Sequence, residues 1–350
     1  MSWVDQLDVK LHQTRIAADQ NNGNGLFATE DVAEDTVLVE TPLSSLIATP
    51  STGSSVQEIV DLAHTLQDLA TNTKWSQYIA LLPTEPINPL GWDADKIQQE
   101  LDGSSIARAV EGIRAAVPQD LALPAQWVMS RALELPTPIP QRAIVPGIDM
   151  ANHSDSPNAR YALSANGESV QLLSTTNIAS NTEICISYGD RDMNEYLFNY
   201  GFIPKHKRRI SVPLDDLHYY PLDLLQDEPA GLRLKFAYYT AKHGTPTVTY
   251  DSSGWHSDFL LLLAVGELDG LDIVEDTAAQ AADPDPEAEH LQLLLQGRIV
   301  DLTDPDFAAF RVRATPIAKA IAEIYLNSAN NRSLSVLTGA ERDLIQEVFS

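Results

Sequence analysis

Residues 183–202 read EICISYGDRDMNEYLFNYGF. With Thr182 in front, the first part, TEICISYG, alternates apolar and polar side chains as a half-buried strand does. It closes on Tyr188 and Gly189. The second part, DRDMNEYLFNYGF, reads as a turn or two of helix running into a compact end that carries Tyr200 and Phe202. Cys185 sits in the strand and is the single cysteine of the chain, so no internal disulfide and no cysteine-rich zinc cluster can form. A small thiol in an alternating strand is ordinary core. The alternative is a nucleophile with His153 as its base.

Working back from this stretch, NARYALS at 158–164 and ESVQLLST at 168–175 are further short strands parted by turn residues. PGIDMANHS at 146–154 clusters Asp149, Asn152 and His153. Asp149 and His153, four apart, would suit a metal, but no third ligand is evident, and an isolated Asn-His pair is structural by default. LPAQWVMSRALEL at 123–135 is amphipathic, with Arg131 among apolar neighbours. Such an arginine either snorkels to solvent or clamps a carboxylate.

From about 50 to 134 the pattern is helical. SVQEIVDLAHTLQDLA places Val56, Ile59, Val60, Ala63 and Leu66 at helical spacing, and KWSQYIALLP at 74–83 predicts a short helix ending at Pro83. DADKIQQEL and SIARAVEGIRAAV follow. Residues 9–49 read as strands, with a turn at NNGNG (21–25) and a β-branched strand at TVLVETP (36–42). After KHKRRI at 205–210 comes RISVPL and then a mainly helical tail. Within that tail SDFLLLLAVGEL predicts a buried helix, and the acidic DTAAQAADPDPEAEH at 276–290 an exposed loop. No βαβ alternation is present, which speaks against a doubly wound sheet.

The chain has 350 residues, a formal net charge of -26 and a pI near 4.4. That balance argues against sequence-independent nucleic-acid binding, which needs Lys and Arg on phosphates. It suits a basic partner, or simply solubility. No stretch reaches the roughly 18 apolar residues of a membrane span. The opening MSWVDQLDVKLHQ lacks the apolar core of a signal peptide, and with one cysteine a cytoplasmic or nuclear location is expected. GNGLFA at 23–28 matches G-x-G-x-x-A, but a half-polar segment precedes it and a strand follows, so a nicotinamide site is disfavoured. There is no G-x-S-x-G elbow.

In order along the chain, NNGNGLFA, VMSRAL, PGIDMANHS and EICISYGDRDMNEYLFNYGF resemble the SET-domain motifs of the Rubisco large-subunit methyltransferase class. KWSQYIALLPTEPINPLGW is similar to the insert those enzymes carry between the halves of the domain. The resemblance spans roughly residues 9–204 and is looser beyond. It implies an α+β SET fold of short sheets over 1–49 and 125–205, a helical insert over 50–124, and a mostly α-helical substrate-binding domain over 206–350. It also implies an enzyme that uses S-adenosylmethionine to methylate a lysine nitrogen of a protein, with ribosomal proteins and elongation factors as the expected class, and with no metal. Tyr188 would be the catalytic tyrosine. Asn22, Gly23, Asn24, Arg131, Asn152, His153, Tyr188 and Phe202 would hold the cofactor. Arg131, Asp149, Tyr161 and Tyr200 would face the substrate. Family members often have Glu where Asn22 stands. Two other readings share the motifs: a histidine acceptor, and a SET fold that binds without turnover.

Overall fold

Alternating segments became strands and 3.6-periodic segments became helices, in a computed structural model that describes residues 2–19, 23–50, 54–101, 105–135, 142–206, 208–215, 220–225, 229–277, 280, 290–328 and 336–350. The chain divides into two units, Met1–His206 and Lys207–Ser350.

The first unit opens with α1 (Trp3–Gln6), then β1 (Lys10–Leu11), β2 (Thr14–Asp19), β3 (Gly23–Ala28), β4 (Val37–Pro42) and β5 (Ile47–Ala48). Helices follow: α2 (Ser55–Ala70), α3 (Ser76–Ile79), α4 (Ala94–Leu101), α5 (Ser105–Ala116) and α6 (Ala122–Arg131). Strands then return as β6 (Leu133–Glu134), β7 (Arg142–Ile144), β8 (Asn152–His153), β9 (Ala159–Leu163), β10 (Ser169–Ser174) and β11 (Glu183–Ile186), before α7 (Met193–Tyr200). Three small sheets result, ordered β1-β4-β10-β9, β2-β3-β11-β8 and β5-β7-β6. Each joins strands from before and after the helices, so neither stretch of strands completes a sheet alone.

Several elements differ from their sequence reading. The expected turn at NNGNG is already strand from Gly23, which pairs with Asp19, while residues 20–22 lie outside the described residues. In α2 the buried side chains are Ile59, Leu62, Ala63 and Leu66, so Leu62 joins the stripe and Val56 and Val60 lie at its margin. The helix through LPAQWVMSR stops at Arg131, because Ala132 turns extended (ψ 127) and leads into β6.

The stretch between α3 and α4 is held to the unit by backbone groups meeting side chains. Trp127 Nε1 donates to the Pro83 carbonyl at 2.8 Å, and the Ile87 N–H donates to Gln126 Oε1 at 3.0 Å. Asn88 Nδ2 donates to the Asn199 carbonyl, at the end of α7, at 2.9 Å. There Gly201 closes α7 in the left-handed conformation, φ +79. A Cβ on Gly201 would lie 1.9 Å from the Ile87 carbonyl oxygen, so both its φ and its surroundings demand glycine.

The second unit holds β12 (Arg209–Pro213), α8 (Pro229–His243), β13 (Thr247–Asp251), β14 (Gly254–His256), α9 (Asp258–Leu263), β15 (Leu271–Glu275), β16 (Leu291–Leu295), β17 (Arg298–Val300), α10 (Arg311–Ser328) and α11 (Val336–Val348). Helices outweigh strands, as the tail's texture predicts. The sheets β12-β13-β14 and β15-β16-β17 were not legible beyond RISVPL. Apolar SDFLLLLAVGEL yields a shorter helix, α9, with Phe259, Leu260, Leu262 and Leu263 buried. Most of 276–290 lies outside the described residues, so the expected acidic loop is not placed.

The close approach at Gly201 gives a direct test. We expect Gly201→Ala to destabilise the protein by about 2 kcal/mol or more, since left-handed backbone alone costs about 1–2 kcal/mol with a Cβ and the Ile87 carbonyl must also move. Urea denaturation of the variant measures it. A change within about 0.5 kcal/mol, the range of neutral surface substitutions, would contradict the packing described.

Candidate functional site

Two strands distant in sequence set the frame. β8 pairs in parallel with β11, laying Asn152 beside Cys185 and His153 beside Ile186. Parallel neighbours need a long crossover, supplied here by residues 154–182 with β9 and β10. Asn158 stitches its end: Oδ1 accepts the Cys185 N–H at 2.8 Å and Nδ2 donates to the Glu183 carbonyl at 2.9 Å.

Tyr188 follows β11 by two residues. Its N–H donates to His153 Nδ1 at 3.2 Å, and its hydroxyl donates to the Ala151 carbonyl at 3.1 Å. Because Nδ1 accepts, a neutral His153 ring carries its proton on Nε2, which faces Asp155 Oδ1 at 3.3 Å. Burial pushes the Tyr188 phenol far above its ordinary range, so it is a neutral hydroxyl at working pH and not a base.

Rings gather around it. Tyr200 lies 4.5 Å from Tyr188 by ring centroids, and His153 lies 5.3 Å away. Phe202 stands 5.8 Å from His153 and Tyr196 stands 5.0 Å from it. These spacings are those of favourable tilted aromatic pairs. α7 delivers Tyr196 and Tyr200 from one face, four residues apart. Burial also raises Tyr200, against the pull of Arg191, and raises Tyr196 to about 12. The Tyr196 hydroxyl donates to the Gly189 carbonyl at 2.7 Å.

A cavity of about 180 Å³ opens beside Tyr188, lined also by Arg131, Asp149, Tyr161 and Tyr200. Glu134 and Arg191 complete the charged part of its lining. Arg131 ends α6 with 13% of its side chain exposed, so it does not snorkel. Its Nη1 donates to the Asp149 carbonyl at 2.8 Å and lies 3.5 Å from Asp149 Oδ2. Its Nε is buried with no partner among the described residues. The Asp149 carboxylate is wholly buried; it accepts the Gly147 N–H at 2.9 Å and the Tyr78 hydroxyl at 2.8 Å. Burial raises Asp149, while Arg131 and these hydrogen bonds draw it down. Tyr161, whose hydroxyl donates to the Glu134 carbonyl at 3.2 Å, is raised by burial too.

The sequence-derived site residues thus fall into two groups. Arg131, Asp149, Tyr161, Tyr188 and Tyr200 meet at the cavity. Gly23, Asn24, Asn152, His153 and Phe202 lie outside its lining. Asn24 Nδ2 donates to the Leu81 carbonyl at 3.0 Å, and Asn152 Nδ2 donates to Glu183 Oε1 at 2.7 Å. A Cβ on Gly25 would come within 2.8 Å of that Glu183 oxygen, which accounts for the second glycine of GNG. Asn22 lies outside the described residues. The metal pairing of Asp149 with His153 does not form, because the two side chains turn to Tyr78 and Asp155 respectively. Among the described residues no group of three or more His, Cys, Asp or Glu is placed to hold a metal. Sequence reasoning missed Tyr78, Glu134, Arg191 and Tyr196. For Tyr196 the i, i+4 spacing to Tyr200 was a usable signal, whereas Tyr78 and Glu134 had none.

Residues 23–189 match the family model of the SET domain. SET domain-containing protein 8 of Schizosaccharomyces pombe (strain 972 / ATCC 24843) is 25% identical over 376 residues, covering 93% of this chain and 85% of that protein. The fold is shared with solved structures of the SET domain of LSMT. The form bound to lysine and AdoHcy gives a TM-score of 0.59 at 15% identity, covering 99% of this chain and 86% of that one. The form bound to MeLysine and AdoHcy gives 0.61 at 14% identity with the same coverage.

The Asn158 stitch is testable. Asn158→Ala strips partners from the Cys185 N–H and the Glu183 carbonyl, and we expect a loss of about 2–3 kcal/mol in chemical denaturation, the scale of unsatisfied buried backbone groups. An unmoved midpoint would show that β11 holds its place without Asn158.

Proposed function

Starting from the SET domain at residues 23–189, we propose that this protein is an S-adenosylmethionine-dependent protein-lysine N-methyltransferase. The observation that carries the reading is the cavity where the Tyr188 hydroxyl, the Arg131 guanidinium and the Tyr161 and Tyr200 rings converge. Support comes also from the LSMT structures that share the fold, which hold lysine or methyllysine with AdoHcy.

The residues fit the cofactor. Arg131 keeps a buried Nε with no partner among the described residues, and a guanidinium with a spare donor suits a carboxylate. Gly23 and Asn24 on β3, Asn152 and His153 on β8, and the Phe202 ring would take its other parts. When bound, S-adenosylmethionine supplies a methyl group on a sulfonium, open to in-line attack by a nitrogen lone pair.

The chain's own part is to present that lone pair. A lysine amine with a pKa near 10.4 is protonated at neutral pH, and freeing it costs about 4 kcal/mol at pH 7.4. A cavity walled by Tyr161, Tyr188 and Tyr200 strips water from an ammonium and favours the neutral amine. Tyr188 stays a neutral phenol and serves by orientation rather than proton abstraction. Its hydroxyl and the Ala151 carbonyl put oxygens at the cavity wall that can take weak C–H···O contacts from a polarised methyl. Glu134 adds an exposed carboxylate to the lining, which draws an ammonium toward the opening.

The acceptor protein is on this reading basic, in keeping with the net charge of -26, and ribosomal proteins or elongation factors met in the cytoplasm or nucleus are the proposed class. Residues 1–49 and 125–205 would form the catalytic domain around the insert at 50–124, and residues 206–350 would bind substrate.

Four outcomes are expected. S-adenosylmethionine at 100 times its dissociation constant should add about 2.7 kcal/mol of stability. No heat in calorimetry and no thermal shift at millimolar cofactor would end the proposal. Arg131→Ala should weaken cofactor binding by the loss of a charge-assisted bond, about 1.5–3 kcal/mol. Tyr188→Phe should cut single-turnover methyl transfer at least tenfold, about 1.4 kcal/mol, with cofactor affinity nearly intact. Near-normal turnover would remove Tyr188 from the reaction. The pH profile identifies the acceptor: with lysine, the rate should climb through pH 7–9, whereas a histidine ring, with a pKa near 6.5, should give a plateau there.

A further inference from the structure

Tyr78 belongs to α3, within the helical insert, yet its hydroxyl reaches Asp149, one of the charged residues that line the cavity. The side chain is wholly buried, with Trp3 at 5.5 Å and Trp75 at 6.4 Å by ring centroids. The hydroxyl donates at 2.8 Å to Asp149 Oδ2, the oxygen that also stands 3.5 Å from Arg131 Nη1. We propose that Tyr78 is a positioning residue for the transfer site, acting through Asp149 to fix the Arg131 guanidinium; this rests on the methyltransferase reading.

A carboxylate without water stays charged only if its lone pairs are filled. Asp149 has three donors: the Gly147 N–H on Oδ1, the Tyr78 hydroxyl on Oδ2, and Arg131 at a long, weak 3.5 Å. The ionisable groups facing it are Arg131 from α6, Tyr78 from α3 and Tyr188 from beyond β11. Of these only Tyr78 gives it a short side-chain hydrogen bond. Asp149 in turn supplies Arg131 with both its carbonyl and its carboxylate, leaving Nε for a ligand. The direction of the chain of contacts is therefore from the insert, through Asp149, to the guanidinium that lines the cavity.

The same insert stretch accepts Asn24 at the Leu81 carbonyl and holds the end of α7 through Asn88 and Ile87. Tyr78 carries a side-chain hydrogen bond from this stretch to the charged cluster, and the hydroxyl can be removed with little loss of packing.

The test is a double-mutant cycle on S-adenosylhomocysteine binding, read by calorimetry beside melting curves. Wild type, Tyr78→Phe, Asp149→Asn and the pair are compared. Tyr78→Phe should weaken binding about fivefold, the scale of one hydrogen bond, and melt within a few degrees of wild type. Added to Asp149→Asn it should weaken binding no further, because the contact it removes is already altered. A second readout needs only Tyr78→Phe. With a donor removed, the Asp149 carboxyl protonates more readily, so affinity should fall away at a higher pH than in wild type as the pH is lowered. Wild-type affinity and pH profile in Tyr78→Phe, or independent additive losses in the pair, would overturn the proposal. Failure of wild type to bind S-adenosylhomocysteine at all would instead bring down the methyltransferase reading, and this proposal with it.

Discussion

The parallel pairing of β8 with β11 is the contact on which the site depends. It is two residues long on each side, and it sets Asn152 and His153 beside the strand that ends in Tyr188. Short parallel ladders are weak by themselves. This one is reinforced from both flanks: the Asn158 side chain fills backbone groups of Cys185 and Glu183, and the Tyr188 N–H closes on His153 Nδ1. The second bond couples ring orientation to backbone register. A slip of β11 by one residue would turn its side chains to the other face and carry Tyr188 away from His153.

The chain from α3 toward α4 is tied to the residues around the cavity rather than standing apart from them. Within residues 78–88 it supplies the hydroxyl that Asp149 accepts, the Leu81 carbonyl that Asn24 reaches, and the Asn88 amide that meets the end of α7. β3, the Arg131–Asp149 cluster and the Tyr200–Phe202 segment are thus referenced to one short piece of chain. Gly201 shows how close that reference is, since no side chain fits between it and the Ile87 carbonyl.

Electrostatically the cavity joins two kinds of wall. Tyr161, Tyr188 and Tyr200 are all held neutral by burial, so they give shape and hydrogen bonds without charge. Arg131 and Asp149 bring opposite charges out of water, which is tolerable only because each has further partners. For a reaction that needs an amine without its proton, neutral walls and a compensated ion pair are suitable surroundings. Glu134, the remaining carboxylate of the lining, is exposed, so water screens it; an unpaired carboxylate buried beside the amine would hold the ammonium charged.

Local pattern was enough for most elements of the first unit. Alternation in TEICISYG and the ring-rich helix after it read correctly as β11 and α7, and the periodicity of 55–70 as α2. The order of four motifs pointed to the SET-domain model that residues 23–189 match, because each motif keeps its own residues near one another in sequence. What the sequence could not decide is whatever depends on segments far apart meeting. Arg131 could have snorkelled or clamped; it turns inward because Asp149, 18 residues on, offers both a carbonyl and a carboxylate. Leu62 is buried, and Val60 is not, by where α6 lies rather than by hydrophobicity. Tyr78 lies in the short helix that KWSQYIALLP predicts, and its hydroxyl acquires meaning only when α3 packs over a carboxylate 71 residues away. Periodicity records which face of an element is buried; it holds no record of what that face is buried against, and the chemistry of this site lies in those partners.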